Sequence, residues 1–497
     1  MRHYLFTFFF VLLFLLSAYN GLGQGKKRQG FREQLNKVYS TEAIAADVEY
    51  FYTALNAAHP DLYRYISQKQ LDSLLADLTA KGGHLTLQGF YNELNHIAAS
   101  LGSGHLLLAY PPKLNPYFAK YAYYPPLHIE LHGNIAVVKK NLVEKDSHLN
   151  AAVHAINGIP IDTLISEMNT LLMHDGYNTA ANYWMLEQGW FNEIFIRYWP
   201  DTSQYTYQLE KLSDDGILVI QEVTLPAFDY EKMKPARKKR QKPEPALTFK
   251  YDDRSNTAIM ALTSFDPHTI SQGRQKFAKF VREAFWHISQ EKPDQIIIDL
   301  RNNEGGNSFY PEMVIAYLSD KPFRLYSNME IRFRSQNNKE KLIKVKGKKA
   351  YNRMEKRSLI GSNGNLNFRR FSDRYVANFP YPYAGTVYVM VNGGTYSAAS
   401  ELACYLKEHM AAVVVGTETG GSCDHITAGM YGIAKLPNTG IVVHIPLVTF
   451  HKDITQPREA GYGLKPDIQQ HFRPTDSIPD PEMEHLLEII QGKILKQ

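Results

Sequence analysis

Apolar side chains recur at helical spacing over residues 41–100: Ile44, Val48, Phe51, Tyr52 and Leu55, then Leu71, Leu74, Leu75 and Leu78, then Phe90, Leu94, Ile97 and Ala98. The spacing predicts three helices. The last runs into Leu101-Gly102-Ser103-Gly104-His105, where glycines end it and the apolar run 106–108 predicts a short strand. His105 thus sits at a hinged junction rather than inside an element. Ahead of the helices, residues 24–36 are polar and basic and read as a flexible lead, so that 24–120 forms a helical N-terminal region.

From residue 121 to 230 the pattern shortens to alternating segments, at 129–131, 135–138, 152–156, 205–209 and 218–225. Asn157-Gly158 between them supplies a turn with positive φ, and 161–172 reads as a helix. Strands, turn and helix in that order suggest a small β-rich module of the peptide-binding kind. Residues 231–250 form a basic, proline-containing linker around Arg237-Lys238-Lys239-Arg240, read as solvated.

Beyond the linker, strands at 257–262, 295–300, 385–391, 412–415 and 441–447 alternate with helices at 272–289, 311–318 and after Ser397. That alternation predicts an α/β domain, residues 251–480, with a mostly parallel core and crossover helices. Residues 326–379 show little periodicity and read as an insertion bordering a site. Residues 481–497 close the chain as a helix.

Composition narrows the function classes. The chain has 497 residues and a formal charge of +5, with basic residues clustered rather than spread over one face, so nucleic acid is not an expected partner. Arg2 and His3 precede an apolar run at 4–16 and then small residues, which predicts a signal peptide over 1–23, export to a periplasmic or extracellular setting, and no stable membrane insertion after cleavage. Two cysteines, Cys404 and Cys423, make no disulfide framework; they can pair in an oxidising compartment, although Cys404 lies in an apolar helix pattern where a cysteine is often only a small core residue. No histidine and cysteine spacing suits a metal, and no cofactor is expected.

The chemistry gathers on glycine turns. Gly393-Gly394-Thr395-Tyr396-Ser397 follows an apolar strand and leads into a helix, which presents one hydroxyl where backbone N–H groups favour negative charge. Ser397 is either a nucleophile or a helix cap. The loop Asp299-Leu300-Arg301-Asn302-Asn303-Glu304-Gly305-Gly306 follows a buried strand at the edge where α/β sheets bind ligands, and can supply half of an oxyanion hole with the Ala398 N–H as the other half.

Ser397-Ala398-Ala399 after Asn392-Gly393-Gly394-Thr395, the 299–306 loop, Gly416 with Glu418-Thr419-Gly420-Gly421, and Gly463-Leu464-Lys465-Pro466-Asp467-Ile468 together resemble peptidase family S41, the C-terminal processing peptidases and tricorn core proteases. The resemblance implies a ClpP/crotonase-like βαβ core, polypeptide substrates and serine-type acyl transfer. Ile156-Asn157-Gly158-Ile159-Pro160 is similar to part of the family's PDZ-like domain. One departure matters: where many members carry a catalytic lysine, this chain has Ser422. The tricorn-like branch uses histidine instead. On that resemblance His105 is the base for Ser397, Glu459 orients it by way of Ser103, and Gly305, Gly306 and Ala398 hold the oxyanion. His425 and Glu418 are alternatives for base and partner, Lys452 and Lys465 are lysine alternatives, and a catalytically silent peptide-binding scaffold is the rival of another class.

Overall fold

The computed structural model describes residues 24–114, 118, 122–199, 202–213, 215–228, 244–334, 342–369, 375–379, 382–454, 459–472 and 478–493. The expected signal peptide and the basic run 237–240 lie outside them. Four helices open the described chain: α1 (Gln24–Leu35), α2 (Thr41–Ala58), α3 (Gln68–Ala80) and α4 (Leu87–Ser100). The lead expected to be flexible is therefore helical, and it buries Phe31 and Leu35. The other three start where the caps dictate: Ser40, Ser67 and Thr86 each accept a backbone N–H of the first turn, and Ser67 completes a capping box with Gln70. Ile44, Phe51, Leu71, Phe90 and Leu94 reach full burial, as their spacing requires. The strand β1 (Leu107–Ala109) follows.

The alternating region folds as β2 (Leu127–His132), β3 (Ile135–Asn141), β4 (Ala152–Ile156), β5 (Ile159–Pro160), α5 (Ile161–Leu171), α6 (Ala180–Glu187), α7 (Phe191–Tyr198), β6 (Gln204–Leu212) and β7 (Leu218–Pro226). Its sheet has the antiparallel order β2-β3-β4-β6-β7, with β5 beside β4. Asn157 and Gly158 turn the chain at φ 51° and 77°, the positive values that their residue types predict.

A second sheet carries the α/β region. Its strands β8 (Leu247–Asp252), β9 (Thr257–Leu262), β10 (Gln295–Asp299), β15 (Thr386–Val391), β16 (Val413–Gly416) and β19 (Ile468–Gln469) lie in order along it, parallel except for β8. Between β9 and β10 run α8 (Pro267–Gln272) and α9 (Phe277–Glu291), and after β10 comes α10 (Phe309–Leu318). α9 answers to the helix expected at 272–289, starting after Gly273, and α8 ahead of it was not expected. The insertion supplies β11 (Tyr326–Ile331), β12 (Lys344–Val345), α11 (Lys348–Glu355), β13 (Leu359–Ile360) and β14 (Leu366–Asn367). α12 (Ala398–Met410) leads from β15 to β16, and α13 (Pro481–Ile490) covers the outer face of the sheet against Ile297, Met390 and Val415. Parallel strands put the carboxyl ends of β9, β10, β15 and β16 along one edge.

A third, antiparallel sheet was not expected. It pairs β17 (His425–Lys435) with β18 (Val442–Lys452), and β11 with the other side of β18. β1 joins β18 as well, Leu107 opposite His444, so the N-terminal region enters this sheet two residues after His105. Asp47 on α2 fastens the same junction by accepting the Asn438 and Thr439 N–H groups at 2.8 Å each. Among the described residues no helix is long and apolar enough to cross a membrane.

Candidate active site

Ser397 ends the turn after β15 with φ 52° and ψ −127°, a backbone that side-chain-bearing residues rarely adopt. Its side chain makes no capping bond to α12. The neighbouring Ser400 hydroxyl instead donates to the Ser397 carbonyl at 2.8 Å. Neighbouring groups hold the bend: the Thr395 hydroxyl donates to the Leu300 carbonyl at 2.8 Å, and the Tyr396 N–H to the Asn303 carbonyl at 3.0 Å. The loop after β10 is thereby bolted to the serine turn. Gly305, at φ 91°, lies so close that a Cβ there would come within 2.8 Å of the Ser397 Cβ and 2.9 Å of the Ala398 nitrogen. Only glycine allows this approach.

The oxyanion donors divide. The Gly305 N–H donates to the Asn303 side-chain oxygen at 2.9 Å and is occupied. The Gly306 and Ala398 N–H groups donate no hydrogen bond among the described residues. Of the three candidates read from the sequence, these two keep a free donor next to Ser397.

His105 lines the same cavity as Ser397, and its ring stacks on Tyr396 with centroids 5.2 Å apart. It is buried, and its Nδ1 has no hydrogen-bond partner among the described residues. Burial holds the imidazole pKa below its ordinary value, while the Asp175 carboxylate acts in the opposite direction. A neutral imidazole at neutral pH is the form that can accept a proton.

The partners expected behind His105 are elsewhere. Glu459 is exposed and pairs with Lys465 at 3.1 Å on the surface, whereas His105 is buried. Ser103 is buried, but its hydroxyl meets His59 Nε2 at 3.0 Å. The buried carboxylate near His105 is Asp175, in the loop after α5. Its Oδ1 accepts the Gly104 N–H at 3.1 Å, and the Tyr396 hydroxyl crowds the same face of that glycine. The sequence carried no local signal for Asp175: its backbone partner is 71 positions away.

The alternatives are also placed. His425 sits 3.0 Å from Asp424 and stacks near Tyr65, outside the cavity wall. Glu418 accepts the Gly463 N–H at 2.8 Å and so shapes the neighbouring loop. Lys465 is on the surface with Glu459. Lys452 is buried, donates to the Ser422 carbonyl, and lies near enough to Glu401 of α12 to favour that carboxylate's charged form. Cys404 of α12 and Cys423, next to Ser422, form a disulfide, which ties the serine helix to the loop before β17. No cluster of metal-ligating side chains occurs among the described residues.

The cavity itself occupies about 650 Å³. Ser397, His105, Tyr396, Gly305 and Gly306 line it together with Met329, Met354, Phe368, Met430 and Phe450. Glu304 lines it too, with its pKa pushed up to about 7 by burial.

Residues 256–470 match the model of peptidase family S41. Among solved structures the chain is similar to mature CPAF, at 13% identity over 91% of this chain and 96% of that one, with a TM-score of 0.58. CPAF complexed with lactacystin is similar at 14% identity, over 91% of this chain and 98% of that one, with a TM-score of 0.58. At such identities the likeness is one of fold. No curated protein matches the sequence.

Proposed function

We propose, from the premise that residues 256–470 are a domain of peptidase family S41, that the protein is a serine endopeptidase in which Ser397 attacks the peptide carbonyl. The observation that carries this reading is the backbone of Ser397: positive φ, no capping bond, and Gly305 held against it. A serine that merely capped α12 would need none of these.

In the first step His105 takes the Ser397 hydroxyl proton as the oxygen adds to the carbonyl carbon. The resulting oxyanion is met by the Ala398 and Gly306 N–H groups, and imidazolium then returns the proton to the leaving amine. Water, activated by the same histidine, releases the acyl group. Asp175, rather than Glu459, is the carboxylate that favours imidazolium in this reading. The chain is exported by its leader, and the module 121–230 is PDZ-like and binds a substrate C-terminus by strand addition.

Lys452 supports a second reading. It brings an ammonium group to Ser422, the position at which the family resemblance led us to expect a lysine. In that version the lysine is the base and His105 is a packing residue.

The test is proteolysis of denatured casein by purified wild type and Ser397→Ala. Loss of cleavage by roughly 10³-fold or more in a variant with unchanged unfolding temperature is expected. Undiminished cleavage would remove Ser397 as nucleophile, and no cleavage by a folded wild type would favour a silent scaffold.

A further inference from the structure

The cavity beside Ser397 is larger than nucleophile and base require. Its volume, about 650 Å³, falls within the roughly 300–1,000 Å³ typical of pockets that enclose a whole small ligand. One wall is a built surface. β17 and β18 set Ile426 opposite Phe450 and Ala428 opposite Val448, and all four line the cavity, with Met430 joining them past a register shift. Side chains alternate across a strand, so Thr427 and Thr449 point to the other face, where their hydroxyls meet at 3.2 Å. The insertion extends that wall: Met329 of β11 lies opposite Phe450 in the same sheet, the Phe368 N–H donates to the Met329 carbonyl, and Ala350 and Met354 of α11 also line the cavity.

Charge on the wall has one sign. Among the described residues that line the cavity there is no lysine or arginine, while Asp266, Glu304, Glu312 and Glu401 are present. Asp266 is committed to capping α8 through the Thr269 N–H at 2.8 Å, and Glu401 accepts the Tyr326 hydroxyl at 2.8 Å. Burial raises the pKa of Glu304 and Glu401, as expected of carboxyls set in apolar surroundings. An entering carboxylate would lose water with no cation among the described lining residues to offset that cost.

We propose that this cavity is the specificity subsite for a bulky apolar side chain flanking the attacked bond, that Met329, Met354 and Phe368 set its depth, and that it rejects acidic side chains. The inference rests on Ser397 being the nucleophile. Burying a leucine- or phenylalanine-sized side chain there favours such substrates over alanine by roughly 10–100-fold in kcat/KM.

The experiment digests denatured casein with wild type and Ala350→Trp, reads cleavage sites by mass spectrometry, and in parallel measures labelling of Ser397 by a small fluorophosphonate. Ala350 is exposed on α11, so the added ring fills the cavity mouth without entering the core. Leu, Phe, Met and Tyr should be enriched at one position flanking the cut, at least tenfold over Asp and Glu. Ala350→Trp should lower those cleavages about tenfold relative to cleavages at other sites, while wild type is labelled at Ser397. An unselective, basic or acidic preference, or an identical profile in Ala350→Trp, would overturn the inference while labelling upholds the nucleophile. Absence of labelling in wild type would overturn both.

Discussion

Ser397 and Asp175 mark the two extremes of what a residue discloses by its position in the chain. Ser397 sits among glycines after an apolar run, and that local chemistry predicts a strand–turn–helix bend with a hydroxyl at its apex. The bend exists, with a backbone whose cost is on the order of 1–3 kcal/mol for a residue with a side chain, offset by the bonds of Thr395 and Tyr396. Asp175 stands alone between His174 and Gly176, and only tertiary structure brings it to Gly104. Glu459 had the right chemistry and spacing but lies at the surface, paired with Lys465. If Asp175 is the positioning carboxylate, Asp175→Asn has a signature that simple damage lacks. The carboxylate raises the His105 pKa, so its removal lowers it; His105 then stays neutral to lower pH, and the acidic limb of kcat/KM moves downward. The maximum rate should fall roughly tenfold or more, since imidazolium loses its counter-charge. A fall in rate with an unmoved limb would assign Asp175 a packing role only.

At the scale of elements, periodicity disclosed what it could and failed where glycine or polarity broke it. α2 and α4 follow their apolar spacing to full burial of Phe51 and Phe90. α1 looked like a solvated lead because its sequence is mostly polar and basic, with Phe31 and Leu35 buried among the described side chains. β17 escaped notice because Thr427, Gly429 and Gly432 interrupt the pattern and the register shifts between Ala428 and Tyr431, although Ile426 and Ala428 alternate toward the cavity. The pairing of Cys404 with Cys423 was open in the sequence; the fold brings α12 and the Ser422 loop together, and both cysteines are buried there. Closing a loop over a separation of 19 positions contributes on the order of 3 kcal/mol. The double variant Cys404→Ala/Cys423→Ala should lose about 2–4 kcal/mol in denaturant unfolding under oxidising conditions. Equal stability would show that the link contributes nothing.

The whole molecule explains why the base was harder to read than the nucleophile. Ser397 and the 299–306 loop meet because β10 and β15 are adjacent and parallel, which the alternation of strands and helices already implied. His105 arrives by another route, through the pairing of β1 with β18 and the clamp of Asp47 on the turn at Asn438 and Thr439. Nothing in local sequence encodes that docking. The far side of the catalytic edge is held in a similar way, since Arg301 bridges Asp299 to Asp480 and Glu482, each at 2.7 Å, and so secures α13 to the loop after β10. The account's central claim is that these two routes deliver a working serine and histidine to one cavity. The most direct test is the rate at which a fluorophosphonate modifies Ser397 in wild type, His105→Ala and Lys452→Met, with the modified residue located by peptide mass spectrometry. We predict modification at Ser397, slowed by roughly 10²-fold or more in His105→Ala and largely kept in Lys452→Met. An unchanged rate in His105→Ala, or modification of a different serine, would contradict the account.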